Sequence, residues 1–403
     1  MARPDGAVDC LVGMQWGSEG KGKISAYLAR GYDGMVRSGA PQAGHTFHDA
    51  GGKHVMRQVP CGVTDPDCLL YIAGAGLIDT DVLLSELREH EVYPDRLMID
   101  SHAMLITAEH RHAEAMSSLE RRLASTLEGV GAASADKIWR QGKIFEGYAV
   151  EDPELYFYSG NVPEALDELL SEGGRLLCEG TQGFALSLNH GEYPFVTSRD
   201  VTAAALLADA GVAPSAHGKT VGVLRTYPIR VGGNSGSTGS EELAWDEITR
   251  RSGSRSPIRE YTTVTGRERR VFEQSMDVLL QAVRVNRPDE LALTFIDYIN
   301  VDDYGKSSFD ALSGDSKRYV DRIEEELSVP VTLISTGPLA EHMIDRRSGG
   351  RPRPLRGKVG YSVPSGHAQS FYGHPWDSGY VGDFIRRKMV AEDGEPWEPR
   401  LFR

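Results

Sequence analysis

Short apolar runs bounded by glycine recur along this chain. They alternate with stretches in which apolar residues return every three or four positions. The first pattern predicts buried strands and the second predicts amphipathic helices. On this reading strands lie at 8–12, 34–37, 69–73, 175–178, 220–224, 291–295 and 331–334. Helices lie at 22–29, 81–90, 108–126, 163–172, 202–210, 271–285 and 316–327, with 108–126 the longest. Near-continuous apolar strands separated by helices predict an α/β fold with a large, mostly parallel central sheet covered by helices. Two stretches break the pattern. Residues 232–240 (GGNSGSTGS) read as a flexible loop. Residues 346–358 are basic and rich in Pro and Gly, and read as a solvated linker, a phosphate-facing arm or a dimer contact. They divide the chain into a unit 1–345 and an extension 346–403.

Composition narrows the class without choosing the chemistry. The 403 residues are 40% hydrophobic and 25% charged, with mean hydropathy −0.35, as in ordinary globular proteins. Lys and Arg number 44 against 58 Asp and Glu, giving a net charge of −14. That balance argues against a nucleic-acid partner but leaves small anions open, since those need only a local basic pocket. Cys10, Cys61, Cys68 and Cys178 form no C-x-x-C and no zinc spacing, so reduced, mostly buried thiols in a cytoplasm are expected. The N-terminus does not read as a signal peptide, and no apolar run approaches the ~18 residues of a membrane span. The expected location is cytoplasmic, with no membrane partner.

Four segments carry candidate chemistry. Gly13-Met14-Gln15-Trp16-Gly17-Ser18-Glu19-Gly20-Lys21-Gly22-Lys23 follows a strand and opens a helix. Glycines there let backbone N–H groups approach phosphate oxygens, and the helix N-terminus adds positive potential. The Walker pattern G-x-x-x-x-G-K-[ST] fails, because Gln15 and Gly22 stand where Gly and Ser or Thr are needed; a plain packing turn is the alternative. Gln42-Ala43-Gly44-His45-Thr46 places a histidine in a small-residue loop, as an acid or base or as a satisfied loop histidine. Glu179-Gly180-Thr181-Gln182-Gly183, continuing to 189–198, is too polar for core and too specific for a linker. Val264-Thr265-Gly266-Arg267-Glu268-Arg269-Arg270 clusters arginines near hydroxyls, suited to carboxylate or phosphate capture or to a solvated helix start.

Together these segments resemble the adenylosuccinate synthetase family, whose motifs G-x-Q-W-G-D-E-G-K-G-K, N-A-G-H-T, E-G-A-Q-G, H-G-T-Y-P-Y-V-T-S and T-T-G-R-x-R recur in order from about residue 8 to residue 338. The resemblance implies that family's P-loop fold in 1–345 and a ligase. A nucleoside triphosphate phosphorylates O6 of a 6-oxopurine nucleotide, and aspartate then displaces the phosphate. It also implies site roles. Lys21 meets the transferring phosphate and His45 acts as general acid at O6. Gly44 and the residue at position 18 hold Mg²⁺. Gly17, Glu19, Gly20, Gly22, Lys23 and Gln42 form the nucleotide-facing shell. Ser125, Thr126, Gln182 and Thr197 hold the purine nucleotide, while Arg140 reaches the nucleotide of a neighbouring subunit in a homodimer. Val264, Thr265, Gly266, Arg267 and Arg269 hold the aspartate. Ser335, Gly337 and Pro338 border the triphosphate base.

The departures from the motifs carry the sharper implications. Ser18 stands where the family has its catalytic Asp, the acceptor of the N1 proton and a Mg²⁺ ligand. A hydroxyl is no comparable base, but it is smaller and both donates and accepts. It makes room for the 2-amino group of a guanine. This variant resembles the viral 2-aminoadenylosuccinate synthetases, which join aspartate to dGMP on the route to 2-aminoadenine DNA; such a protein works in the host cytoplasm. The family's guanine-reading T-K-x-D becomes Thr294-Phe295-Ile296-Asp297. Loss of the Lys leans towards ATP or dATP as phosphoryl donor, while the surviving Asp297 is an argument for GTP; Phe295 is either a base-stacking group or core. Two other readings stand beside this one: an ordinary synthetase using IMP, aspartate and GTP, and a catalytically inactive purine-nucleotide-binding protein.

Overall fold

The computed structural model describes residues 6–347, apart from 153 and 263–265. The extension 346–403 therefore lies outside the described residues from 348 onward. Ten strands form one sheet. In spatial order they are Met343–Asp345, Val331–Ser335, Glu290–Thr294, His217–Arg225, Ala7–Gly13, Arg175–Glu179, Gly34–Arg37, Leu69–Ile72, Leu97–Asp100 and Ser159–Gly160. Every pairing is parallel except that of Met343–Asp345 with Val331–Ser335.

Alternate residues of each strand point to opposite faces, and here both faces are apolar. Val8, Cys10 and Val12 join Leu176, Cys178, Leu291 and Leu293 in one core. Leu11, Met35, Leu177, Val221, Val223 and Ala292 join the other. The helices Val162–Ser171, Ala203–Asp209, Met276–Asn286 and Gly314–Leu327 cover the first face. Lys21–Leu28, Thr80–Glu89 and Phe145–Glu151 cover the second. A sheet buried on both sides explains why its strands read as continuous apolar runs.

The seven predicted strands all occur, and the sheet adds Leu97–Asp100, Ser159–Gly160 and the antiparallel edge Met343–Asp345. Two helices needed correction. The stretch 108–126 is not one helix: Ala108–Met116 and Leu119–Leu123 are separate, and Gly314–Leu327 is the longest among the described residues. Ser117 leaves the helical region at φ −80°, ψ 166°, and its hydroxyl accepts from Leu119 N–H. A serine offering its own bond to the backbone competes with the helix. The stretch 271–285 begins as a strand, Arg270–Phe272, paired with Ile229–Arg230 and Glu242–Leu243; the helix starts at Met276 after Ser275. The Gly/Ser segment 232–240 is anchored rather than loose. Gly233, Gly236 and Gly239 adopt positive φ. Arg230 donates to Ser237 O and Arg270 to Gly236 O.

Candidate active site

Six neighbouring parallel strands end on the same side of the sheet, and the segments singled out in the sequence leave from those ends. Gly13 leads into the glycine-rich turn, and Arg37 leads towards His45. Glu179, Arg225, Thr294 and Ser335 are themselves terminal strand residues. The segments enclose a cavity of about 550 Å³. Its wall includes Gly17, Ser18, Glu19, Gly20, Lys21, Gly22, Lys23, Gln42, Gly44, His45, Thr126 and Gln182 on one stretch. Arg269, Phe295, Asp297, Ser335, Gly337 and Pro338 line the rest.

The turn feeds the helix Lys21–Leu28, which starts after Gly20 at φ 81° with no side-chain cap and no acidic residue in its first turn. Its first N–H groups are thus left for an anion at the cavity. Gly22 is required by contact. A Cβ there would lie 2.8 Å from the His45 backbone carbon, so the helix packs directly on the start of the strand His45–Asp49, where a Walker loop carries a hydroxyl. Ser18 is exposed between buried Gly17 and Glu19, at φ 55°. Glu19 is fully buried and turned inward. Its carboxylate accepts from Gln15 N–H (3.2 Å), Gly17 N–H (2.8 Å) and Lys21 Nζ (2.6 Å). It shapes the turn and fixes Lys21.

His45 is held by Glu179, which lies wholly buried at the end of a central strand. Glu179 accepts from His45 Nδ1 (2.6 Å), Arg37 Nη1 (3.0 Å), Ser25 Oγ (2.7 Å) and Cys61 N–H (2.7 Å). Burial alone raises its carboxyl, but the His45 bond, Arg37 and Ser25 outweigh that and hold it ionised. Burial and Arg37 push His45 down to about 4, against the pull of Glu179. The imidazole is therefore neutral near pH 7, donates from Nδ1, and presents a lone pair at Nε2. That atom is buried without a partner in the protein. Cys61 also approaches this pair, but burial and the Glu179 charge raise its thiol far above its usual range. With Glu179 taken up by four donors, the trio leaves little carboxylate free for a metal ion.

A second carboxylate, largely enclosed, organises the arginines. Glu260 takes Arg225 Nη1 (3.1 Å) and Nη2, and Arg269 Nη1 (2.8 Å). Arg225, itself fully buried, also donates to Ser18 O (3.1 Å) and stacks 4.0 Å over the Phe295 ring. Phe295 lies beyond the end of the strand Glu290–Thr294 at φ 58°, on the cavity wall rather than in the sheet core. Asp297 has an unpaired Oδ1, and burial raises it to about 6. Lys23 donates to Ser335 Oγ (2.9 Å), Gly337 O (2.6 Å) and His342 O (2.7 Å). Burial pushes its ammonium down to about 7, against Asp297 and Glu341.

Not every predicted residue reaches the cavity. Ser125 accepts from Leu127 N–H, and Arg140 is exposed at the end of the helix Val130–Trp139, φ 61°. Thr197 supports Gln182, accepting from its Nε2 at 2.8 Å. Arg267 pairs with Glu120, and Gly266 is exposed. Val264 and Thr265 lie outside the described residues. Sequence reasoning passed over Arg37, Arg225 and Glu260 as functional groups, and took Glu179 only as the start of its segment, without a role of its own. For Glu179, Arg37 and Arg225 the signal was a charged residue ending an apolar strand, which is costly to bury without a partner; Glu260 lies in a loop and carried no such mark.

Gathering strand ends around an open helix N-terminus is how open α/β sheets bind nucleotides. The sequence places the chain more narrowly: the profile of the adenylosuccinate synthetase family matches residues 10–152 and 143–304, and the chain belongs to that family of C–N ligases. Its members bind a nucleotide monophosphate, aspartate and a triphosphate. The chain is 36% identical over 343 residues to the Pyrococcus horikoshii adenylosuccinate synthetase, covering 84% of this chain and 98% of the relative. Identity to the Methanococcus maripaludis enzyme (strain S2) is 36% over 344 residues, with the same coverage. The fully ligated adenylosuccinate synthetase of Plasmodium falciparum superposes with TM-score 0.76 at 22% identity, covering 85% of this chain and 100% of that one. Cyanophage S-2L succinoaminodeoxyadenylate synthetase (PurZ), bound to dGMP and to dATP as energy donor, superposes with TM-score 0.73 at 29% identity. It covers 85% and 96% of the two chains. Among the described residues no helix is long and apolar enough to cross a membrane.

Proposed function

We propose that this ligase joins L-aspartate to C6 of dGMP. A purine triphosphate, ATP or dATP, drives the reaction and gives N6-succinyl-2-amino-2′-deoxyadenylate for 2-aminoadenine DNA. One observation carries the reading: Ser18, not a carboxylate, occupies the exposed position of the glycine-rich turn on the cavity wall. A short hydroxyl leaves room for a 2-amino group and accepts its hydrogen bond. The likeness to PurZ, whose bound nucleotides are dGMP and dATP, supports it. So does Phe295, an aromatic ring on the cavity wall where the family motif has a lysine.

In the proposed sequence O6 attacks the γ-phosphorus, the diphosphate leaves, and the N1 proton passes to a substrate phosphate oxygen or a water. The aspartate amine then adds to C6, the C6–O6 bond breaks, and inorganic phosphate departs, taking up the proton that the amine releases. Lys21 and the open helix N-terminus stabilise charge on the transferring group. His45 rests as an acceptor at Nε2; nucleotide phosphates entering the cavity favour its protonated form, and the imidazolium then donates at O6. Arg269 receives an aspartate carboxylate, with Arg267 and Thr265 joining it. Thr126, Gln182 and Thr197 hold the monophosphate nucleotide, and Arg140 serves the neighbouring subunit of a homodimer. The exposed Ile138 and Trp139 beside Arg140 support such a contact. With Glu19 turned inward, Gly44 and Ser18 offer only neutral oxygens at the phosphate end. That donor set fits Mg²⁺, which takes most of its ligands from phosphates and water; the cation would neutralise phosphate charge.

An ordinary synthetase acting on IMP with GTP is the second reading, favoured by the 36% identity to archaeal enzymes and by Asp297. An end-point assay with Mg²⁺ and L-aspartate decides. It crosses dGMP, GMP and IMP with ATP, dATP and GTP, and products are weighed by mass spectrometry. A succinyl adduct from dGMP in excess over IMP is expected. An adduct from IMP alone returns the protein to ordinary purine synthesis, and nucleotide binding without phosphate release makes it a binding protein.

A further inference from the structure

We propose a transition-metal site on the far side of the hairpin that begins at His45, formed by His54, Glu89 and His90. The hairpin pairs His45–Asp49 with Gly52–Met56, so His54 projects from its second strand. Glu89 ends the helix Thr80–Glu89 and His90 caps it. One ligand atom from each of the three lies within 4.8 Å of the others. A tetrahedral ion with bonds near 2.0–2.1 Å needs ligand separations of about 3.3 Å, so the exposed Glu89 carboxylate, free to move, and the His90 ring have only a small distance to close.

Three independent features favour a cation there. First, His54 Nε2 meets Asp49 Oδ1 at 2.8 Å, and that oxygen is itself fixed by Gly51 N–H at 2.7 Å. In the tautomer that carries its hydrogen on Nε2, the ring donates to the carboxylate and keeps a lone pair on Nδ1. This is the outer-shell arrangement that orients metal-bound histidines. His54 Nδ1 is buried with no partner in the protein. Second, the rings are held in place: His54 stacks on Phe47 at 5.0 Å and lies 5.3 Å from His90. The helix is tied to the end of the hairpin, where Glu86 accepts from Gln58 and Val59 N–H. Third, the C-terminal end of a helix attracts positive charge, and Asp49 and Glu89 add two carboxylates. Two imidazoles and one carboxylate select a borderline ion such as Zn²⁺ or Co²⁺ over Mg²⁺. Such an ion would staple the hairpin, and with it the strand bearing His45, to the helix Thr80–Glu89.

The test is titration of tag-free full-length protein with Co²⁺ in excess Mg²⁺, followed by visible absorption and by displacement with Zn²⁺. One equivalent of tightly held Co²⁺ with tetrahedral absorption is expected. H54Q and H90Q should each weaken binding at least about tenfold, and D49N by about 10–100-fold. Zn²⁺ should raise the thermal midpoint of the wild type and raise those of H54Q and H90Q less; their metal-free midpoints check that both variants fold. No absorption in the wild type, or absorption unchanged in H54Q and H90Q, overturns the site.

Discussion

His45 and Glu179 divide the charge between them: the carboxylate carries it and the imidazole does not. This has a consequence for stability. A histidine lowered to about 4 in the folded state binds fewer protons than its unfolded counterpart between about 6.5 and about 4. Folding therefore loses stability as pH falls through that window. Asp297, raised to about 6, acts with the opposite sign, so its ionisation weakens the fold as pH rises towards 6. The His45 contribution is isolated by comparing denaturant midpoints of wild type and H45Q. The wild type should lose more stability than the variant between pH 6.5 and 4.5, and parallel curves would show that His45 titrates normally. The same substitution should lower kcat by about 10²–10⁴, the usual worth of a positioned acid or base. At Ser18 the expected outcome is a change of preference: S18D should raise the IMP-to-dGMP ratio of kcat/KM by at least about tenfold, or about 1.4 kcal/mol. A ratio that stays put would remove Ser18 as the discriminating residue.

Between elements, Arg225 joins three segments that the chain brings in separately: the glycine-rich turn at Ser18, the arginine loop through Glu260, and the Phe295 corner. Glu260 holds Arg269 from behind, so under the proposed function the guanidinium is aimed before aspartate arrives. R269A should raise the KM for aspartate far more than for the nucleotide. E260Q should do the same with a smaller change, because Arg269 stays present but loses its brace. Equal effects on both KM values would mean that the pair is only structural. These links also mark what the sequence could tell. The glycine-rich turn, His45 and Phe295 were legible because their neighbours form recognisable patterns of glycine, small residues and strand ends. Glu179 and Glu260 were not, since a buried carboxylate is identified by its partners, and those partners come from elsewhere in the chain. The break at Ser117 was hidden likewise: helix periodicity continues across it, and one hydroxyl decides against the next turn.

For the whole molecule, the sheet was legible as a class and less so at its margins. Buried on both faces, its central strands announce themselves, whereas the short strands Ser159–Gly160 and Met343–Asp345 offer too few residues to show a period. The proposed dimer belongs to this scale. R140A and H45Q, each inactive alone, should regain about a quarter of wild-type activity when mixed and allowed to exchange subunits. A symmetric dimer gives half mixed pairs with one intact site in two. No recovery would mean that each chain completes its own site.

The placement of Arg175–Glu179 has a consequence for how the chain is made. This strand sits between Ala7–Gly13 and Gly34–Arg37, the first two strands of the sheet in chain order. While a ribosome is still short of residue 175, those two have no shared neighbour, and each keeps an open apolar edge. Glu179, which orients His45, emerges later still. A growing chain therefore holds its earliest strands in waiting for well over a hundred residues. Late insertion of a middle strand is slow and exposes unpaired edges meanwhile. Truncations ending before 175 should collect as aggregates, and full-length protein should refold best when dilute.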